Sequence, residues 1–129
     1  MADRIIAEIA EDFLAAWNSR DYERVAACYT ENLVYRDPNT KGEIRDQSSF
    51  KRYLKKLLGA WDMTWTTREG FPLKDMDGFA FLWHAVIRRP DGKGEVEVDG
   101  MDLIVMDGNL ITRNEVYFDR AVLAPLMEK

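Results

Sequence analysis

The sequence has one cysteine, one histidine and four prolines among 129 residues. A lone Cys28 allows no internal disulfide and no cysteine-rich zinc site. A lone His84 leaves no His-based metal spacing and no Ser-His-Asp order, and no glycine-rich phosphate loop is present. Nucleotide hydrolysis and zinc chemistry are therefore not expected, and neither a metal nor a cofactor is implied. The longest near-apolar run, Phe79 to Ile87, is nine residues broken by His84, far short of the ~20 that a membrane span needs. The start, Met1-Ala2-Asp3-Arg4, is charged and runs straight into an amphipathic pattern, so no signal peptide is expected.

Excess positive charge is missing too. The net charge is −5, which argues against a nucleic-acid partner, because phosphates demand a basic face. One basic cluster stands out, Lys51, Arg52, Lys55 and Lys56, alternating with Phe50, Leu54, Leu57 and Leu58. That spacing is the solvated face of a helix. What the chain has in quantity is apolar residues, 47%, against 32% charged. This supports one domain, residues 1–129, with a core of its own. With neither a signal peptide nor a membrane span expected, the expected location is cytoplasmic.

The first half reads as helical. Ile5, Ile6, Ile9, Phe13, Ala16 and Trp17 form one stripe over residues 4–18, with Asp3 as cap. After Asn18-Ser19-Arg20, Asp21 caps a short second helix predicted to reach Tyr29. Leu33 to Asp37 reads as a short strand stopped by Pro38. Asp46 caps a third helix to about Leu58, with Gly59 as its stop.

From Asp62 onward the pattern is strands. Three Asp-Gly pairs, at 77–78, 91–92 and 107–108, separate strands of about 62–74, 79–89, 95–106 and 110–118. The fourth pair, Asp99-Gly100, falls inside a run and marks a bulge or a close backbone approach. Asp119 caps a last helical turn ended by Pro125. Helices first and strands last give an α+β fold, a curved, mostly antiparallel sheet with three N-terminal helices on one face.

Alternation then places the chemistry. Val96, Val98, Gly100, Asp102, Ile104 and Met106 share a face on which Asp102 is the one charged group, and Leu33, Tyr35 and Asp37 share another. Burial disfavours a charged carboxylate, and a second carboxylate nearby disfavours it further. Carboxylates tuned this way suit proton transfer near neutral pH. Two simpler readings stay open. Asp37 before Pro38 can merely cap a turn, and a bulge at Gly100 would turn Asp102 to solvent. His84 alternates out of phase with Phe79, Phe81, Trp83 and Ala85. If that aromatic set lines the interior, His84 points to the outer surface or a subunit contact, and a structural role is favoured over a catalytic one. Trp17, Trp61, Trp65, Trp83, Phe79, Phe81 and Phe118 are candidates to line an apolar site, with Asn114 as a polar contact.

These residues carry a resemblance. Phe13-Leu-Ala-Ala-Trp17-Asn18, Asp21-Tyr-Glu-Arg-Val-Ala-Ala, Val34-Tyr35-Arg36-Asp37-Pro38, Phe79-Ala-Phe81, Asp102-Leu-Ile-Val-Met-Asp-Gly108, Ile111 and Tyr117-Phe118-Asp119 resemble the nuclear transport factor 2-like superfamily. Within it, they are similar to the SnoaL-like and ketosteroid isomerase branches. The resemblance implies a cone-shaped, cystatin-like α+β barrel, a homodimer formed through the outer sheet face, a deep pocket for a small apolar molecule, and no cofactor. It puts Asp37 where isomerases of the family carry their general base. Asp102 falls where they carry a neutral acid that donates to the oxyanion. The candidate substrate-binding residues beside them are Phe13, Trp17, Tyr35, Tyr53, Trp65, Phe81, Trp83, Asn114 and Phe118. Two positions depart from the pattern. Phe13 replaces the tyrosine that is the principal oxyanion donor, and Leu54, with Tyr53 beside it, falls at the supporting tyrosine. Losing such a donor costs ~10²–10³ in rate, which argues against efficient steroid isomerisation. The expected activity is proton transfer on a small carbonyl compound. A non-catalytic binding or dimerisation module, and epoxide-hydrolase-like or polyketide-cyclase-like chemistry, are the alternatives.

Overall fold

Three of the helical segments begin where an aspartate can cap them. Asp21 accepts from the backbone N–H groups of Glu23 and Arg24, Asp46 from that of Ser49, and Asp119 from that of Ala121. Each cap satisfies donors that a helix start leaves unpaired. The computed structural model describes the backbone of residues 3–127 and the side chains of residues 6–127. The Asp3 cap and the Ile5 side chain therefore lie outside what is described.

In chain order the elements are α1 (Asp3–Asn18), α2 (Tyr22–Ala26), β1 (Tyr29–Arg36), α3 (Gln47–Ala60), β2 (Asp62–Pro72), β3 (Gly78–Arg88), β4 (Glu95–Asp107) and β5 (Leu110–Tyr117). A 3₁₀ turn at Arg120–Leu123 and a final turn, α4 (Ala124–Met127), follow. The second helix is shorter than expected and the first strand longer, because the chain is already extended at Tyr29. Gly59 does not stop α3; the helix runs through it, and Trp61 leads directly into β2 in an extended conformation. Pro125 does not end the last turn either. It lies in the first turn of α4, where its missing N–H costs nothing.

The strands form one sheet in the order β1-β5-β4-β3-β2. All neighbours are antiparallel except β1 and β5, which run parallel. Hairpin signals alone foresee the antiparallel pairs; the parallel one needs the α3 crossover between β1 and the rest. The sheet stays open, with β1 and β2 as its two edges, so the expected barrel is a strongly curved sheet rather than a closed one. Helix α1 packs on the β2 end, and the side chain of Asn18 fastens it there through both backbone groups of Trp65.

The buried face of β3 is Phe79, Phe81, Trp83, Ala85 and Ile87, meeting Ile6, Ala10, Phe13 and Trp17 of α1 and Phe50, Leu54 and Leu58 of α3. The basic residues of α3 face outward, Lys51 paired with Glu23 at 3.1 Å. No described helix is long and apolar enough to cross a membrane.

Candidate active site

Strand β4 pairs with β3 without a register shift from Glu95 to Val105. No bulge interrupts it at Gly100, so Asp102 stays on the inner face and is 4% exposed. The Asp99-Gly100 signal means close approach instead. Gly100 lies opposite Trp83, and a Cβ there would sit 2.4 Å from the Trp83 indole. The missing side chain lets that indole lie across β4 and donate its Nε1–H to Asp102 Oδ1 at 2.6 Å.

Asn114 donates from Nδ2 to the other oxygen, Asp102 Oδ2, at 3.0 Å. Asn114 is itself held, since the Tyr29 hydroxyl donates to its Oδ1 at 2.7 Å. Tyr29, Asn114, Asp102 and Trp83 thus form one buried chain of hydrogen bonds. Burial pushes the Asp102 carboxyl up to about 7, against the opposing pull of the Asn114 and Trp83 donors; the Asp37 charge adds to the rise. Burial also raises the Tyr29 hydroxyl well above its ordinary range, with the Asp102 charge second.

Asp37 follows directly on β1 and is half-buried. It caps a turn with one oxygen and meets two tyrosines with the other. Oδ1 accepts from the backbone N–H groups of Asn39 (2.7 Å) and Thr40 (3.1 Å), capping the turn after Pro38. Oδ2 accepts from the hydroxyls of Tyr35 (2.6 Å) and Tyr53 (2.5 Å). A carboxylate offers about four lone-pair sites, and four donors occupy them. Burial first, then the Asp37 charge, lifts both tyrosines well above their ordinary range.

Both carboxylates open onto one narrow cavity of about 50 Å³, walled mainly by aromatic and aliphatic side chains. Of the residues singled out from sequence, Phe13, Trp17, Tyr35, Asp37, Trp65, Trp83, Asp102 and Phe118 line it. Tyr53, Phe81 and Asn114 are not among its lining residues. Tyr53 holds Asp37, Asn114 holds Asp102, and Phe81 is fully buried edge-on against Phe13. Trp61 lies elsewhere, beside Arg89 and Leu126. Tyr29 was missed because the second helix was carried too far; β1 begins at Tyr29, and a register shift between Tyr29 and Val34 breaks the alternation that could have placed it. Asn39, Leu57, Met63 and Ile87 also line the cavity, and of these the alternation of Met63 with Trp65 was legible.

His84 is on the outer face, bridging Asp99 (2.8 Å) and Glu97 (2.9 Å) through its two ring nitrogens. Those bonds raise its pKa, Asp99 contributing most. Among the described residues no group of three or more histidine, cysteine, aspartate or glutamate side chains is arranged to hold a metal ion.

Known proteins share this architecture. A candidate isomerase from Bacillus subtilis superposes with a TM-score of 0.84 at 14% identity, over 97% of this chain and 94% of that one. TerC, crystallised with polyporic acid, gives 0.78 at 18% identity, over 95% and 98%. SalBIII, an epoxide hydrolase/cyclase-like enzyme with a role in pyran ring formation in the polyether salinomycin, gives 0.77 at 18% identity, over 90% and 92%. At such identities the likeness is one of fold alone. A search of curated proteins found no match. The model of the SnoaL-like domain matches residues 10–114. The chain belongs to the SnoaL-like family, on an α+β fold of the nuclear transport factor 2 and ketosteroid isomerase type.

Proposed function

We propose that this chain is a cofactor-independent proton-transfer enzyme of the isomerase or cyclase kind, acting on a small, mainly apolar carbonyl compound in the aromatic cavity. The carrying observation is the unequal state of its two carboxylates. Asp102 has a lone pair free on each oxygen and a pKa of about 7, so near neutral pH it is populated both as acid and as base. That is the condition under which one group takes a proton from carbon and returns it elsewhere most efficiently. Asp37 has every lone-pair site engaged. The resemblance suggests Asp37 as the base; the hydrogen bonding favours Asp102, with Asp37 anchoring Tyr35 and Tyr53.

The reaction is removal of a proton from the carbon next to a carbonyl to give an enolate, followed by protonation at that carbon or a conjugated one. Charge and atoms balance without an external oxidant. The membership of the family and the cyclase and isomerase names among its structural neighbours support this class. The test is proton–deuterium exchange next to the carbonyl of cyclohexanone and 2-cyclohexenone in D₂O, followed by NMR. Wild type should exceed the buffer rate, Asp102→Asn should lose ~10²-fold or more, and Asp37→Asn should keep more of the rate. No exchange above buffer with either ketone, or a reversed order of the variants, sinks this reading.

A further inference from the structure

Phe13 borders two separate spaces. It lines the narrow cavity onto which Asp37 and Asp102 open, and it also lines a surface groove of about 550 Å³ together with Ile9, Cys28, Met106, Leu110 and Ile111. Among the described residues Phe13 alone lines both.

The helix puts it there. On α1, Ile9, Asp12 and Phe13 follow the i, i+3, i+4 spacing of one flank, and that flank borders the groove; Phe13, Leu14 and Trp17 border the cavity. The Phe13 ring is buried and held on three sides. Trp17, with centroids 6.1 Å away, belongs to the cavity wall, and Phe81 meets the ring edge-on at 5.9 Å. Tyr29, at 6.3 Å, lies toward the groove, since its chain neighbour Cys28 and its strand partner Ile111 both line the groove. The ring therefore stands between the cavity and the groove.

The cavity is small for a ring-shaped ligand. It measures about 50 Å³, against the roughly 150 Å³ of a dry apolar cavity that takes one benzene. A single ring that enters must leave part of itself among the half-buried wall residues, such as Asn39 and Leu57. Space for a larger body exists in the groove, on the far side of Phe13. We infer that Phe13 is the specificity-determining residue of the cavity: its ring is the partition that limits the ligand to a carbonyl compound no larger than a single ring, and it shuts out fused-ring ketones that the space behind it would hold. Its side chain has no polar atom, so its part in selection is one of shape. The carbonyl is taken from the proton-transfer reading; the partition stands without any turnover.

The experiment uses the whole chain with ¹³C-methyl-labelled methionine, titrated with cyclohexanone and, separately, with the fused-ring ketone 2-decalone. Met63 lines the cavity and Met106 the groove, so their methyl resonances report on the two spaces independently. 2-Decalone carries more apolar surface, and with no size limit it should bind the more tightly. In wild type, cyclohexanone should instead bind the more tightly, moving Met63 and not Met106. Phe13→Ala should bind 2-decalone roughly tenfold or more tighter than wild type does, with both methionines moving. Where the alanine variant folds poorly, Phe13→Leu, also smaller than phenylalanine, should change affinity and spectra in the same direction. The proposal is overturned if wild type prefers 2-decalone, if either ketone moves Met106 in wild type, or if neither ketone binds. It is equally overturned if the folded Phe13 variant lacks the gain in affinity or the Met106 shift. A size preference that follows Phe13, with no carbonyl-adjacent exchange, would sink the proton-transfer reading and leave this inference standing. Exchange by a wild type that prefers 2-decalone would do the reverse.

Discussion

Gly100 and Trp83 face each other across β4 and β3, and the space a side chain would need at 100 is taken by the six-membered ring of the Trp83 indole. The glycine is there for what it leaves out. With it the indole reaches Asp102; with any other residue the ring, or the backbone carbonyl of Tyr117 2.8 Å from the same point, must give way.

Gly100→Ala should therefore cost about 1–3 kcal/mol, the usual penalty for forcing a group into a packed core. It should also detach the indole from Asp102. Urea unfolding measures the first effect and the Trp83 indole N–H resonance the second. An alanine variant as stable as wild type, with that resonance unmoved, would show that the sheet absorbs the methyl group by a shift of β4.

Asp102 makes stability depend on pH. Its folded pKa, about 7, lies above the ordinary aspartate value of 3.8, so between about pH 4 and pH 7 the folded state binds more protons than the unfolded one. Stability then falls as pH rises through that window and levels off above it. At 1.36 kcal/mol per unit, the full loss is on the order of 4 kcal/mol. Wild type should be markedly more stable at pH 5 than at pH 8. Asp102→Asn should flatten this dependence while lowering stability at pH 5, because its amide must set an N–H against a donor from Trp83 or Asn114. Denaturant midpoints at the two pH values check both effects.

His84 adds to the same slope for a different reason. Its raised pKa comes from Asp99 and Glu97, so its contribution is complete below the ordinary histidine pKa and is lost as pH rises through the folded value. The cluster is exposed, so 1 M salt should screen most of it, whereas the buried Asp102 should respond little. His84→Gln should remove the salt-sensitive part of the pH slope and leave the salt-insensitive part. If the whole slope survives in His84→Gln at low salt, the outer-face cluster contributes nothing measurable.

How far the sequence reaches can be judged at Asp37, Asp102 and Tyr29. Asp102 was legible because strand alternation is strict and the face it shares with Val98 and Ile104 is otherwise apolar. Asp37 was legible as a residue but not as a set of partners. One oxygen caps the turn and the other accepts from Tyr35 and Tyr53, and only coordinates assign those partners. Tyr29 was hidden by a boundary. Asp21 marks where α2 starts, but no glycine or proline marks where it stops before β1. The parallel β1–β5 pair was hidden too, because it joins residues 29–36 to 111–115 with no turn between them to read. Lengths of helix and strand are set by local signals, and the polar chain behind the cavity by contacts across the whole fold.

Tyr29 supplies the last prediction. Its hydroxyl donates to Asn114 Oδ1, and Asn114 gives its own amide protons to Asp102 Oδ2 and to the backbone carbonyl of Leu103. Tyr29→Phe keeps the ring that packs on Phe50 and Phe13 and removes only the first donor. Asn114 Oδ1 is then buried without a partner, which costs about 1–3 kcal/mol. The amide can escape that cost only by turning over, and a turned amide aims its oxygen at Asp102 in place of an N–H. Both routes loosen a bond that favours the charged form of Asp102. Its titration midpoint should therefore move up from about 7, and the descending limb of stability against pH should extend to higher pH with it. Carboxyl ¹³C NMR of Asp102 in Tyr29→Phe reads the shift directly. A variant that loses stability but titrates as wild type would mean that Tyr29 supports the core and not the acid. An unchanged midpoint together with unchanged stability would mean that the hydroxyl is not coupled to Asn114 at all.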